Sequence, residues 1–352
     1  MSRFLRPELA SLAPYEPGEQ PSERKYIKLN TNESPFPPSE KAQKYAREAA
    51  ESLQLYPALD GGILREKLAE RLGVTPAEVV VTNGSDEVLN FCFKAFCGAD
   101  SPAVFADITY GFYSVFAGIN GVPFELIPLK DDFSIDPEDY IGIGKNIFIA
   151  NPNAPTGLIL PVSDIERIVA SNPNNIVVVD EAYIDFGGES CVPLVRKYQN
   201  LIVMQTFSKS RSLAGARLGF GVACPEIIND LYRVIYSTNP YNLSRTNMAA
   251  GLGAIEDEDY TKRNCEEIID TRNKTAECLK NLGFTVLDSK TNFLFASSSE
   301  ISGEELYKRL KDEGILIRYF NKPRISDYVR ITIGSKDDMQ TLTKTIAKIL
   351  GK

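Results

Sequence analysis

The 352 residues contain no histidine. That absence excludes every Ser-His-Asp and Cys-His hydrolytic arrangement and the usual histidine zinc sites, and leaves lysine, tyrosine, cysteine or a carboxylate as any general base. No apolar run is long enough to span a bilayer. The opening Met1-Ser2-Arg3-Phe4-Leu5-Arg6-Pro7 has no continuous apolar core of the signal-peptide kind, so a cytoplasmic location without membrane contact is expected. No basic run is interleaved with aromatics, and a formal charge of −8 gives no general attraction to phosphate backbones, so nucleic acid is not an expected partner. The six cysteines form no C-x-x-C pair and mostly have apolar neighbours, as in Phe91-Cys92-Phe93. Reduced, buried thiols are expected, and no metal site. Internal repeats and low-complexity segments are also missing.

What remains is an ordinary globular composition, 43% hydrophobic and 24% charged, long enough for more than one domain. Residues 1–40 are rich in Pro, Glu, Ser and Asn and read as an irregular arm joining a smaller domain. Residues 41–238 alternate helical and strand patterns, with strands expected at Glu78 to Thr82, Ala103 to Ala106, Phe124 to Pro128, Ile147 to Ala150, Ile176 to Val179, Leu201 to Gln205 and Gly219 to Ala223. Runs such as Ile176-Val177-Val178-Val179 are apolar on both faces, which predicts a mostly parallel sheet covered by helices on both sides, with ligands at the carboxyl ends of its strands. Residues 239–352 form an α+β pattern, with long helical periodicity from Ser244 to Leu279, strands including Ile315 to Arg318 and Tyr328 to Gly334, and a final helix from Lys336.

The strand ends carry the chemistry. Lys209 follows Leu201-Ile202-Val203-Met204 among hydroxyl residues and precedes Arg217 by eight positions, so an amine able to form a Schiff base and a fixed cation for a phosphate lie close in the chain. Asp180 closes Val177-Val178-Val179, with the phenol of Tyr183 nearby. Asn83-Gly84-Ser85-Asp86 joins a strand to a helix, presenting backbone N–H groups and the positive end of a helix dipole. Pyridoxal phosphate needs such a set: an amine for its aldehyde, an anion against its ring nitrogen and a phosphate cradle.

At this point the chain resembles the fold-type I pyridoxal phosphate aminotransferases, and within them the histidinol-phosphate aminotransferases. The resemblance rests on Pro14-Tyr15-Glu16-Pro17-Gly18, Leu29-Asn30-Thr31-Asn32-Glu33-Ser34-Pro35, Tyr56-Pro57, Asn83-Gly84-Ser85-Asp86-Glu87, Asn151-Pro152-Asn153-Ala154-Pro155-Thr156-Gly157, Asp180-Glu181-Ala182-Tyr183, Thr206-Phe207-Ser208-Lys209 with Arg217, and Tyr328-Val329-Arg330-Ile331-Thr332-Ile333-Gly334. It implies an α/β large domain with a mostly parallel seven-stranded sheet between helices, a smaller α+β domain, and a homodimer with shared sites. It also implies transfer of the amino group between L-histidinol phosphate and 2-oxoglutarate, with aromatic amino acid transamination or a threonine-phosphate decarboxylase-like reaction as alternatives. By the same resemblance Lys209, Asp180 and Tyr183 are catalytic. Gly84, Ser85, Asp86, Thr206, Ser208 and Arg217 hold the cofactor phosphate, Tyr110 stacks on its ring, and Tyr56 reaches the partner's site. Arg330, Arg318, Tyr15 and Asn32 face the substrate, Arg330 taking the carboxylate of glutamate. The family's Asn-Pro-Thr-Gly is here Ala154-Pro155-Thr156-Gly157, so the usual asparagine partner of the ring hydroxyl is missing; either Asn153 substitutes from the adjacent position, although successive residues point differently, or Tyr183 holds the hydroxyl alone.

Overall fold

The computed structural model describes every residue except 1, 11, 13 and 16, and of residue 8 the backbone alone. Glu16, part of one motif above, therefore lies outside the described residues. Seven strands build the main sheet: β1 Val79–Thr82, β2 Ala103–Ala106, β3 Phe124–Ile127, β4 Asn146–Ala150, β5 Val177–Asp180, β6 Leu201–Thr206 and β7 Gly219–Val222. Their spatial order is β1-β7-β6-β5-β4-β2-β3, parallel throughout except that β7 runs antiparallel to both its neighbours.

Alternation along each strand feeds two apolar cores, one per face. Val177, Val179, Leu201 and Val203 enter one; Val178, Ile202 and Met204 enter the other. A strand buried on both faces must be apolar at every position, which is why these runs do not alternate with polar residues. Because six strands share a direction, the ends of β1, β5 and β6 at Thr82, Asp180 and Thr206 meet at one rim. The reversed β7 brings its first residue, Gly219, to the same rim, paired with Thr82 and Thr206.

The smaller layer is a four-stranded antiparallel sheet of Arg318–Tyr319, Tyr328–Thr332, Phe293–Ser298 and Phe284–Val286. Its apolar core takes side chains from the helices Glu258–Asn281, Gly303–Asp312 and Lys336–Leu350. The arm is tied to it: Ile27–Lys28 pairs in parallel with Ile315–Leu316, and Leu29 enters its core.

Two expectations need correction. The strand expected over Ile315 to Arg318 is two pieces with different partners, Ile315–Leu316 against the arm and Arg318–Tyr319 against Tyr328–Thr332. The smaller unit does not begin at residue 239. The helix Arg245–Ile255 packs on the helix Glu40–Ala50 and puts Ala250, Ala254 and Ile255 into a core of the main sheet. Gly253 allows that approach, since a Cβ there would stand 2.7 Å from the Ala42 Cα. The long helical pattern thus breaks at residues 256–257, and of its two helices only Glu258–Asn281 packs into the core of the smaller layer.

Candidate active site

A cleft of about 360 Å³ opens at the rim where the parallel strands end. Lys209 lies on its wall three residues beyond β6, and its Nζ donates to the Thr31 carbonyl of the arm at 3.4 Å. Burial, reinforced by the Arg330 charge, pushes its ammonium down to about 8. An amine that gives up its proton near neutrality can act as nucleophile and as base.

Asp180, the last residue of β5, is buried, and its hydrogen bonds come from neutral donors: the Tyr113 hydroxyl at 3.0 Å and the Ala182 amide at 3.1 Å. Burial raises its carboxyl to about 6, the two donors lowering it in part. A cationic ring nitrogen beside it would restore the charged form. Tyr183, on the turn that follows, accepts a hydrogen bond from Asn32 Nδ2 at 2.9 Å.

The remaining wall is an anion cradle. The Thr206 and Ser208 hydroxyls are 3.0 Å apart, and the helix Ser85–Phe96 begins there without a side-chain cap, its dipole directed at the cleft rim. Arg217, held in the left-handed region at φ 49°, places its guanidinium 3.1 Å from the Asp86 carboxylate. Gly84 makes room for it, because a Cβ there would stand 2.7 Å from an Arg217 nitrogen. The Asp86 carboxylate also accepts from the Tyr110 hydroxyl at 2.8 Å. At the other side Arg330 donates to the Asn30 carbonyl at 3.2 Å and lies over the rings of Phe293 and Phe320. Its Nε is buried with no partner among the described residues, an N–H that a bound anion would satisfy. Arg318 donates to the Pro17 carbonyl at 3.0 Å, and Tyr15 stacks on Phe112.

Tyr15, Asn32, Ser85, Asp86, Tyr110, Asp180, Tyr183, Thr206, Ser208, Lys209, Arg217, Arg318 and Arg330 thus line one cleft. Gly84 and Asn153, expected at this cleft, do not line it, and neither does Tyr56, whose expected place is a partner's site. Gly84 stands behind the helix start, against Arg217. Tyr56 is remote from this cleft, 75% exposed and stacked on Tyr241. Asn153 is a correction: Ala154 faces the cleft, whereas the Asn153 amide is buried on Thr109, the Ile108 carbonyl and Thr156 at 2.8–3.1 Å. Successive residues point apart, so the side chain next in line does not replace the missing one. Asn32 also differs from expectation: its amide is engaged by Thr332 and Tyr183 rather than held out to a substrate. Sequence reasoning gave no role to Tyr113, which has no motif of its own, or to Thr332, which lies in the Tyr328–Gly334 motif but contacts Asn32 from a distant segment.

The residues fit pyridoxal phosphate by their donor chemistry: a neutral-solvated acid for a ring cation, an amine of lowered basicity, and a cradle of hydroxyls, guanidinium and helix start. Among the described residues no cluster of His, Cys, Asp and Glu could hold a metal ion, and no helix is long and apolar enough to cross a membrane. The family described as aminotransferase class I and II matches residues 24–346. The chain is 47% identical to the histidinol-phosphate aminotransferase of Brachyspira hyodysenteriae over 99% of each chain, and 47% identical to that of Marinomonas sp. over 98% of this chain and 99% of the relative. The crystal structure of histidinol-phosphate aminotransferase from Sinorhizobium meliloti in complex with pyridoxal-5'-phosphate superposes with a TM-score of 0.90 at 23% identity, covering 100% of this chain and 98% of the other. The chain belongs to the class I and II aminotransferases, a pyridoxal phosphate-dependent family.

Proposed function

We propose that this aminotransferase moves the amino group between L-histidinol phosphate and 2-oxoglutarate, as a cytoplasmic enzyme of histidine biosynthesis. The observation that carries this reading is the pair Arg330 and Arg318 on the cleft wall, with the Arg330 Nε buried and unpartnered among the described residues. A guanidinium with spare donors suits the phosphate of one substrate and the carboxylate of the other, since both accept two parallel hydrogen bonds. The likeness to relatives named for histidinol phosphate supports the choice of amino donor.

Pyridoxal phosphate, when bound, supplies an aldehyde for the amines and a protonated ring that draws electrons from the carbon bearing nitrogen. Asp180 would keep the ring nitrogen protonated, Tyr183 would donate to the ring hydroxyl, and Tyr110 would cover one ring face. Thr206, Ser208, Arg217 and the amides of Ser85 and Asp86 would hold the phosphate, whereas the Gly84 amide is already donated to the Thr82 carbonyl at 2.9 Å. Lys209 would bind the aldehyde and, when free, move the proton at the substrate Cα. Tyr15 would close the cleft from the arm. Tyr56 would complete the site of a second copy, because it stands among exposed Leu53, Leu55, Leu59 and Ile63, an apolar patch suited to a homodimer.

Initial rates with histidinol phosphate, phenylalanine and threonine phosphate, with carbon dioxide release followed in parallel, test the proposal. Histidinol phosphate should give the highest kcat/KM with no carbon dioxide. A preference for phenylalanine would move the enzyme to the aromatic aminotransferases, and carbon dioxide from threonine phosphate to the decarboxylases.

A further inference from the structure

Asn32 is a buried residue on the cleft wall whose hydrogen bonds the proposed chemistry leaves unused. It is 1% exposed, in the left-handed region at φ 56°, a conformation asparagine tolerates better than most residues. Its backbone N–H donates to Thr332 Oγ1 at 2.9 Å, and the Thr332 hydroxyl donates back to Asn32 Oδ1 at 3.0 Å. Thr332 is 2% exposed, and the Asn32 carboxamide oxygen is the acceptor within reach of its hydrogen. The orientation that leaves no buried donor without an acceptor therefore turns Oδ1 toward Thr332 and Nδ2 toward Tyr183. Nδ2 lies 2.9 Å from the Tyr183 hydroxyl.

An amide N–H can only donate, so the Tyr183 oxygen accepts from it, and the phenolic hydrogen must point elsewhere. Among the described residues the Tyr183 hydroxyl has no acceptor, and the residue lines the cleft. Ala154, also on that wall, carries no polar side-chain atom that could supply a second donor.

We infer that Asn32, locked by Thr332, is a positioning residue that fixes the Tyr183 hydroxyl as a hydrogen-bond donor into the cleft. This rests on the reading of Tyr183 as the partner of the cofactor's ring oxygen. The consequence is electrostatic. A donor on that oxygen spreads its negative charge and weakens its hold on the neighbouring proton, so losing the donor moves the titration of the bound chromophore to higher pH. Asn32→Asp keeps shape and backbone preference but presents an acceptor, which turns the Tyr183 hydrogen away from the cleft.

The test is a visible-absorbance pH titration of the holoenzyme without substrate, alongside cofactor content and thermal melting. Asn32→Asp should shift the midpoint upward by about one pH unit, a tenfold change in proton affinity and the size of one hydrogen bond, and should match Tyr183→Phe. Thr332→Val should move it the same way, whereas Thr332→Ser, which keeps the hydroxyl, should leave it in place. If Asn32→Asp does not fold, the Thr332 pair decides. A wild-type midpoint in Asn32→Asp beside a shifted Tyr183→Phe overturns the role of Asn32. An unshifted Tyr183→Phe overturns it too, by removing the donor it is said to orient. Neither result depends on which amino donor the enzyme takes.

Discussion

Lys209, Asp180 and Arg330 are each held away from the protonation or pairing they would have in water, and in each case burial is the first cause. The Arg330 guanidinium is the most exacting of the three, because a planar fork can bind an anion through two parallel hydrogen bonds where an ammonium is a point charge. Arg330→Lys should keep the positive charge and lose the fork. A hydrogen bond to a charged group contributes about 1.5–3 kcal/mol, so kcat/KM should fall roughly 10- to 100-fold with cofactor content unchanged. Steady-state kinetics check this; an unchanged kcat/KM would remove Arg330 from the substrate site. At this scale the sequence was legible wherever a residue closes a strand, as Asp180 does, or follows one closely, as Lys209 does. Tyr113, Thr332 and the inward amide of Asn153 were not legible, since their roles depend on contacts between segments or on which way a loop residue points.

The start of the helix Ser85–Phe96 is positioned by its neighbour β7 as much as by its own sequence. A Cβ on Gly219 would stand 2.2 Å from the Ser85 nitrogen and 2.5 Å from the Gly84 carbonyl carbon, both backbone atoms that cannot rotate aside. Gly219→Ala should therefore push the helix start out of the cradle. Overpacking of this kind costs about 1–3 kcal/mol of stability, and cofactor affinity should weaken in the same variant. Thermal melting and equilibrium cofactor titration measure both; a variant that melts and binds like the wild type would show that the strand and helix can separate freely. The strands themselves were readable, because continuous β-branched runs have few alternatives. The reversed direction of β7 was not, since a short apolar run reads the same either way, and the helix Arg245–Ile255 was placed in the wrong layer because helical periodicity does not say which core it serves.

Across the whole molecule, two successive buried acids at the end of β5 link folding to pH. The carboxyls of Asp180 and Glu181 are raised to about 6 and about 7, both chiefly by burial. The folded chain thus keeps protons that the unfolded chain has lost. Their contribution to stability is present at acid pH and is lost as pH rises from about 4 toward 7. Lys209, lowered to about 8, acts in the opposite sense above that value, where the unfolded chain holds the extra proton. The cofactor-free enzyme should melt at progressively lower temperature between pH 5 and 7. With cofactor bound the decline should be shallower, because a ring cation beside Asp180 favours its charged form. A melting temperature that rises over this interval in the cofactor-free protein would contradict the assignment. The mostly parallel sheet and a smaller α+β layer were legible from alternation and composition; the parallel pairing that ties down the arm and the point where one core gives way to the other required the packing.

The measurement closest to the central claim follows the nitrogen itself. Incubating the holoenzyme with L-histidinol phosphate labelled with 15N at the amino group and with 2-oxoglutarate should deliver the label to glutamate in equal amount to the histidinol phosphate consumed. Lys209→Ala should abolish the transfer while remaining folded. Label recovered as free ammonia, or no consumption by an enzyme that has bound its cofactor, would contradict the account.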